Sequence, residues 1–211
     1  MADYAALKKK VDELAVREWD DAAIDARVKK FFAEGIPQKK LDPKYLLEHK
    51  QEILDRVQFR AEEYNYYFKN CAQGTAMALL EEFGIGTMKN IEALELYPGI
   101  GGTGEMCGGV TGSLEAFGLL TNRKGRPGQD DVARGMKMAQ KFIGFFEDEV
   151  GNLYCADIIE TVVLGKRLNP GESDEAMAAF AGDKGFEKCG LPPGYGARLA
   201  AEFIIDTLQK D

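Results

Sequence analysis

Apolar residues recur at intervals of three and four along almost all of the 211 residues, and this periodicity constrains the fold more than any other feature. An α-helix collects such positions on one face, whereas a half-buried strand needs strict alternation, which no segment shows convincingly. The pattern is clearest in residues 45–68, 130–146 and 197–208. The sequence therefore predicts an all-α protein, built as one compact multi-helix domain with a helical extension at its N-terminus.

The extension consists of residues 1–41, in which two short amphipathic helices precede a polar break. Asp42 and Pro43 follow this break and are typical of a helix start, with an N-cap residue and then a proline in the first turn. The main domain is accordingly predicted to span residues 42–211. The two leading helices present apolar stripes with no assigned neighbour, so we expect them to mediate homodimerisation or docking.

Charge argues against two classes of partner. The formal net charge is −8, and an acidic surface repels phosphate backbones and anionic lipid. The N-terminus lacks the apolar segment of a signal peptide, and no apolar run approaches the roughly 18 residues of a membrane span. We therefore expect a cytoplasmic protein that binds neither nucleic acid nor membrane.

The four cysteines are the first candidates for chemistry, because thiols in a reducing compartment are metal ligands, reactive groups or buried small hydrophobes more often than disulfides. They are separated by 36, 48 and 34 positions, which excludes a zinc ribbon or a closely spaced ferredoxin motif. Each lies beside a predicted helix boundary, where free N–H groups and the helix dipole favour a thiolate. The four are Cys71, Cys107, Cys155 and Cys189.

A glycine-rich loop surrounds the second cysteine, with eight glycines in residues 99–118. Backbone without a side chain can approach a bulky ligand closely. Gly104, Gly108 and Gly109 flank Cys107 and are predicted to contact a cofactor. From residues alone, a metal cluster, a reactive thiol and four buried cysteines packed as small hydrophobes all remain open.

Four segments match a known pattern in order: NCAQGTAMALLEEFG, GGTGEMCGGVTGSLEAFGLL, FFEDEVGNLYCADII and FEKCGLPPGYGARLAAEFI. Together they resemble the C_GCAxxG_C_C family, whose members are described as redox-active proteins. The resemblance covers roughly residues 58–205, and Gly109 stands where alanine is common in the family. It implies that the four cysteines form one redox constellation in residues 42–211: Cys71, Cys107, Cys155 and Cys189.

A related region in split-Soret cytochromes is associated with an iron–sulfur centre, so the resemblance implies that these cysteines bind an iron–sulfur cluster. Two-iron and four-iron clusters both accept four thiolates, and the choice stays open. The implied function is electron transfer to a redox partner protein under anaerobic conditions. Haem is not implied, because the chain lacks CxxCH and its single histidine, His49, lies in a charged helix where a surface position is expected.

Two alternatives make the chain an enzyme. In thiol–disulfide exchange, Cys107 is the predicted nucleophile and a second cysteine resolves the mixed disulfide. In a redox enzyme with an open iron, a small-molecule substrate lies beside the cluster, and Glu105 and Asp157 are acid–base candidates. The aromatic run 64–68 either lines that pocket or forms an ordinary core stripe. Its members are Tyr64, Asn65, Tyr66, Tyr67 and Phe68.

Overall fold

The computed structural model describes residues 1–121 and 125–209. Every named element of secondary structure within these ranges is a helix, which confirms the all-α prediction. Residues 122–124, part of a predicted basic loop at 122–128, lie outside the described residues. The one isolated β-bridge in these ranges pairs Met106 with Tyr154 in antiparallel orientation. The helices are α1 (Tyr4–Leu14), α2 (Asp21–Glu34), α3 (Pro43–Glu48), α4 (Lys50–Phe68), α5 (Cys71–Phe83), α6 (Met88–Ala93), α7 (Gly99–Gly102), α8 (Gly108–Thr121), α9 (Gln129–Val150), α10 (Cys155–Ile158) with the π-helical segment Ile159–Val163, α11 (Asp174–Gly182), α12 (Gly185–Lys188) and α13 (Leu191–Leu208).

Helix α5 is the centre of the domain. It packs against α4, α8 and α13, and α13 also contacts α4 and α8. Met77, Leu79 and Leu80 on α5 are completely buried, together with most of its small residues. A helix that is apolar all round needs neighbours on every side, and α5 has them. Its first residue, Cys71, is therefore held in place by the packing of the whole bundle.

Glycines let the neighbours of α5 approach its backbone closely. A Cβ atom added to Gly74 would lie 2.6 Å from the backbone nitrogen of Asn65 on α4. A Cβ atom on Gly112 of α8 would lie 2.4 Å from the carbonyl oxygen of Ala72. Real side chains do not fit at such separations, so α4 and α8 lie closer to α5 than larger residues would allow.

The helix start predicted at Asp42 is confirmed, and the helix boundary predicted beside Cys71 is the start of α5, which Asn70 caps. The Asp42 side chain accepts a hydrogen bond from the N–H group of Lys44 at 3.0 Å, and the Asn70 side chain accepts one from Gln73 at 3.0 Å. Such caps satisfy N–H groups that have no partner within the helix. Local sequence indicates both helix starts, because a capping side chain bonds to N–H groups only a few residues away.

Two helix boundaries differ from the prediction. The helix expected over residues 45–68 is broken at His49, whose backbone leaves the helical region (φ −107°, ψ 17°) and separates α3 from α4. The last helix begins at Leu191 rather than at residue 197. Pro192 and Pro193 lie in its first turn, where a missing N–H group breaks no hydrogen bond.

The two leading helices pack into the same hydrophobic core as the rest of the chain. Helix α1 contacts α12, α13 and the π-helical segment, and α2 contacts α4. Their apolar stripes are therefore covered from within the chain, and the proposed use of these stripes for dimerisation or docking loses its basis. The division at residue 41 stays a prediction. The buried stripe residues are Leu7, Val11 and Leu14 on α1 and Ile24, Val28 and Phe31 on α2.

A buried carboxylate holds α1 against α4. The Glu62 side chain is fully buried, and its Oε2 lies 3.0 Å from Nζ of Lys10 and 2.5 Å from a guanidinium nitrogen of Arg17. The next residue, Glu63, forms the equivalent ion pair with Arg27 of α2. Because carboxylates are rarely buried without partners, these pairs explain why two adjacent glutamates are tolerated in the core.

In residues 1–121 and 125–209, no helix combines the length with the apolar character that a membrane span requires.

Candidate functional site

Cys71 and Cys107 lie side by side where α5 and α8 begin. Both side chains are buried, and all four cysteines are free thiols. The thiol of Cys107 donates a hydrogen bond to the sulfur of Cys71. Two residues that are 36 positions apart in the chain thus share one site at the N-termini of two packed helices.

Hydrogen bonds to its sulfur lower the pKa of Cys71. The largest contribution comes from the Cys107 thiol, and the N–H groups of Gly108, Cys71 and Ala72 add to it, against burial, which raises the pKa. These are first-turn N–H groups, which lack a carbonyl partner inside their own helices. The pKa of Cys107 is raised well above its ordinary value because its proton is held by Cys71 and because it is buried.

A short antiparallel pairing brings Cys155 to the same site. The N–H group of Cys107 donates to the carbonyl of Leu153 at 2.9 Å, and that of Cys155 donates to the carbonyl of Glu105 at 2.7 Å. Burial and then the charge of Cys71 raise the pKa of Cys155 to about 12. The backbone pairing thus holds Cys155 beside Glu105, two residues from Cys107.

The fourth cysteine, Cys189, lies in the turn between α12 and α13. Its N–H group donates to the carbonyl of Gly185 at 2.8 Å. The buried side chain of Asn65 on α4 donates to the carbonyl of Phe186 at 3.1 Å and ties this turn to the bundle. Burial and then the charge of Cys71 raise the pKa of Cys189. Whether Cys189 joins the other three cysteines in one site stays a prediction.

The predicted glycines occupy different places around the cysteines. Gly108 lies against the first thiol, since a Cβ atom there would be 2.3 Å from the sulfur of Cys71. Gly109 instead faces α13, where a Cβ atom would be 2.7 Å from the carbonyl oxygen of Pro192. Gly104 has a φ of +85° and shapes the turn that leads to Cys107. Whether these glycines contact a cofactor stays a prediction.

One further glycine belongs to the site and was missed. Gly99 has a φ of +54°, and a Cβ atom there would lie 3.2 Å from Cβ and 3.4 Å from the sulfur of Cys155. Its position at the start of the glycine-rich loop was a visible signal. Its contact with a cysteine 56 positions away in the chain was not, because only the pairing of residues 104–107 with 153–156 creates it.

The other sequence candidates lie in less specific places. The side chain of Glu105 is exposed and that of Asp157 is half-buried. His49 is half-buried rather than a surface residue, and its ring stacks on that of Tyr45 with 4.2 Å between the centroids. Nδ1 of His49 lies 3.0 Å from the carbonyl oxygen of Tyr45, which accounts for the orientation of the ring.

The aromatic run that ends α4 mainly joins helices. Tyr64 is completely buried, donates its O–H group to Glu81 at 2.6 Å and accepts a hydrogen bond from Arg27 at 2.8 Å. The O–H group of Tyr67 donates to Asp25 at 2.9 Å. These contacts agree with the core-stripe interpretation for both residues.

Tyr66 has a different environment from its neighbours. Its ring stacks on that of Trp19 with 5.9 Å between the centroids. Together with Trp19, Lys184 and Glu187 it lines a surface cavity of about 490 Å³. This cavity offers an open space beside Tyr66.

The ligands of a single metal ion and the ligands of a multi-iron cluster are arranged differently. Among the residues that the structure describes, no three His, Cys, Asp or Glu side chains converge as the ligands of one ion would. Thiolates of a multi-iron cluster bind separate irons and lie farther apart than the ligands of one ion. Free thiols, with backbone N–H groups directed at one sulfur, are chemically the kind of donor that such a cluster takes.

Comparison with known proteins gives one match. A family model described as "Putative redox-active protein (C_GCAxxG_C_C)" matches residues 69–192, which is more than half of the chain and contains all four cysteines. No curated protein and no solved structure matches the chain.

Proposed function

The chain belongs to the C_GCAxxG_C_C family of redox-active proteins, and from that premise we propose that its four cysteines hold one iron–sulfur cluster for electron transfer with a partner protein. One observation carries the proposal. Among four free thiols that are far apart in sequence, Cys71 and Cys107 lie at the starts of the adjoining helices α5 and α8, and backbone hydrogen bonds hold the segment of Cys155 against that of Cys107. The ligands would be Cys71, Cys107, Cys155 and Cys189.

The surroundings of the thiols suit a negatively charged centre. The N–H groups of Gly108 and Ala72 are directed at the sulfur of Cys71 and stabilise negative charge there. Helices α5 and α8 also begin at the site, so the positive ends of their dipoles face it. When bound, an iron–sulfur cluster supplies a one-electron couple, and hydrogen bonds to sulfur adjust its potential.

Burial separates the site from bulk water. Cys107 is 3% exposed and Cys71 8% exposed, whereas Cys155 and Cys189 are half-buried. Limited solvent access protects thiolates and metal–sulfur bonds from oxidation and hydrolysis. The structure of the chain thus favours a centre that exchanges electrons, which need no open path, over one that admits a large substrate.

Thiol–disulfide exchange is a second candidate, favoured by the hydrogen-bonded pair Cys71 and Cys107. The lowered pKa belongs to Cys71, so Cys71 rather than the predicted Cys107 would attack a substrate disulfide. The resulting mixed disulfide would be resolved by Cys107, which leaves a Cys71–Cys107 disulfide and a reduced substrate dithiol. It ranks second because both sulfurs are buried.

Redox titration of the protein purified without oxygen tests the proposal. We expect visible absorption and an EPR signal that change reversibly in a single one-electron step on reduction with dithionite and reoxidation. The Cys107→Ser variant should lose this signal. Gly118→Ala, which places a methyl group in open space on α8, should keep it.

A colourless protein that titrates with two electrons per Cys71–Cys107 pair would contradict the proposal and support the exchange reaction. Alkylation of the reduced protein with iodoacetamide distinguishes the two further. Exchange chemistry predicts fast modification of Cys71 alone, whereas a bound cluster predicts protection of all four thiols until iron is removed.

A further inference from the structure

Four exposed apolar side chains lie in the two segments that meet where Gly99 packs on Cys155. Ile100 and Tyr97 are joined by a backbone hydrogen bond of 3.0 Å, and Gly99 between them packs on the side chain of Cys155. Tyr154 precedes Cys155 directly. We call these four residues the Cys155 patch; they are Leu96, Tyr97, Ile100 and Tyr154, with exposed fractions of 75%, 45%, 45% and 47%.

Ile100 combines a strained backbone conformation with an exposed side chain. Its φ of +49° lies in the left-handed region, which β-branched residues rarely adopt, although glycines precede and follow it. Strained residues concentrate where a surface is used for binding or catalysis. Since an exposed isoleucine contributes little to the stability of the free chain, its benefit would arise when another surface covers it.

The segments that build the patch carry acidic groups and no basic ones. The sequence has no Lys or Arg between Lys89 and Arg123, and none between Lys141 and Lys166. A patch with an apolar centre and a charged rim is typical of an interface that forms and dissociates. The acidic residues of these segments nearest in sequence to the patch are Glu92, Glu95, Glu105, Glu149 and Asp157, of which Glu92 is paired with Lys89.

We propose that the Cys155 patch is the docking surface for the electron-transfer partner, and that this partner is a protein with basic residues around its own redox group. The inference rests on the proposed function. Cys155 is half-buried, whereas Cys71 and Cys107 are buried, so the patch adjoins a thiol that is partly accessible. Complementary charges would steer the basic partner onto the acidic rim. One electron crosses the interface, and no atom is transferred.

Binding to a basic c-type cytochrome, used as a probe of this chemistry, tests the proposal. Calorimetric titration of the full chain with the ferric cytochrome should show binding at low ionic strength that weakens as salt screens the charges. The double variant Glu95→Lys and Glu105→Lys should bind at least about tenfold more weakly. Both side chains are exposed, and the structural hydrogen bonds at these positions use backbone carbonyls, which the substitutions keep.

Two further variants separate docking from general effects. Glu34→Lys changes the net charge in the same direction, but at the end of α2. The residues that follow α2 lie beside Gly84 and Gly86, at the opposite end of α5 from Cys71. This variant should bind the cytochrome within about twofold of wild type. Ile100→Gly removes the apolar side chain and its backbone strain. We expect weaker binding with a melting temperature no lower than that of wild type.

The rate at which the reduced protein reduces the ferric haem supplies an independent readout and should fall in parallel with affinity. If Glu34→Lys and the Glu95, Glu105 double variant bound the cytochrome with equal affinity, the proposed docking surface would be wrong, even if the chain contains iron and sulfide. Self-association of the chain through the patch, seen by sedimentation and lost in Ile100→Gly, would also overturn it. Docking without any iron or sulfide would instead overturn the proposed function alone.

Discussion

Replacing Lys10 and Arg17 together with methionine is expected to lower the free energy of unfolding by about 3–5 kcal/mol, the usual cost of leaving a buried charge without its partner. Both cations contact the carboxylate of Glu62, whose side chain is fully buried. Methionine keeps most of the aliphatic volume, so the change removes charge rather than packing. Urea unfolding followed by circular dichroism measures the loss through the transition midpoint.

A third substitution identifies the cause. Adding Glu62→Met to the double variant removes the unpaired carboxylate, and we expect most of the stability to return, because an apolar group of similar volume suits a buried site. Lys8→Met, which removes an exposed cation from the same helix, should change stability by less than about 0.5 kcal/mol. If the triple variant were as unstable as the double, the buried ion pairs would not be what holds α1 to α4.

A single methyl group on α8 is expected to have an effect of similar size. Gly112→Ala places a Cβ atom 2.4 Å from the carbonyl oxygen of Ala72 and 2.9 Å from Cβ of Thr75. Neither atom belongs to a flexible chain end, so α8 must move away from α5. We expect a loss of about 3 kcal/mol in the free energy of unfolding, at the upper end of overpacking effects.

The same helix contains a matched control. Among the described residues, no heavy atom outside its own helix backbone lies within 4 Å of a Cβ atom added to Gly118, and Gly118→Ala should raise stability by about 0.5–1 kcal/mol through helix propensity. Thermal and urea unfolding of the two variants compare them directly. Equal stability of Gly112→Ala and wild type would mean that α8 and α5 do not pack as closely as the structure has them.

Local signals predicted the helices well. Asn70 and Asp42 cap helices through side chains that act within three residues, and Gly84 ends α5 in the left-handed conformation that favours glycine. These features are encoded in a few adjacent residues. The break at His49 was not visible, because an amphipathic pattern continues through it.

Long-range contacts account for what the sequence did not reveal. The residues next to Glu62 in the sequence do not indicate that its partners are Lys10 and Arg17, because a glutamate on a charged helix is expected to be exposed. The hydrogen bond from Cys155 to Glu105 likewise joins residues from separate helical segments and forms no recognisable strand pattern. The sequence singles out the four cysteines as candidates, but only the fold shows that Cys71 and Cys107 are the two that share a hydrogen bond.

The most direct test of the four-cysteine site is the iron and acid-labile sulfide content of protein purified without oxygen, measured for wild type and for each single cysteine-to-serine variant. We expect stoichiometric iron and sulfide in the wild type and a marked fall in all four variants, because each thiolate holds part of one centre. Protein without iron or sulfide after anaerobic reconstitution, or a content that no cysteine substitution lowers, would contradict the account. The variants are Cys71→Ser, Cys107→Ser, Cys155→Ser and Cys189→Ser.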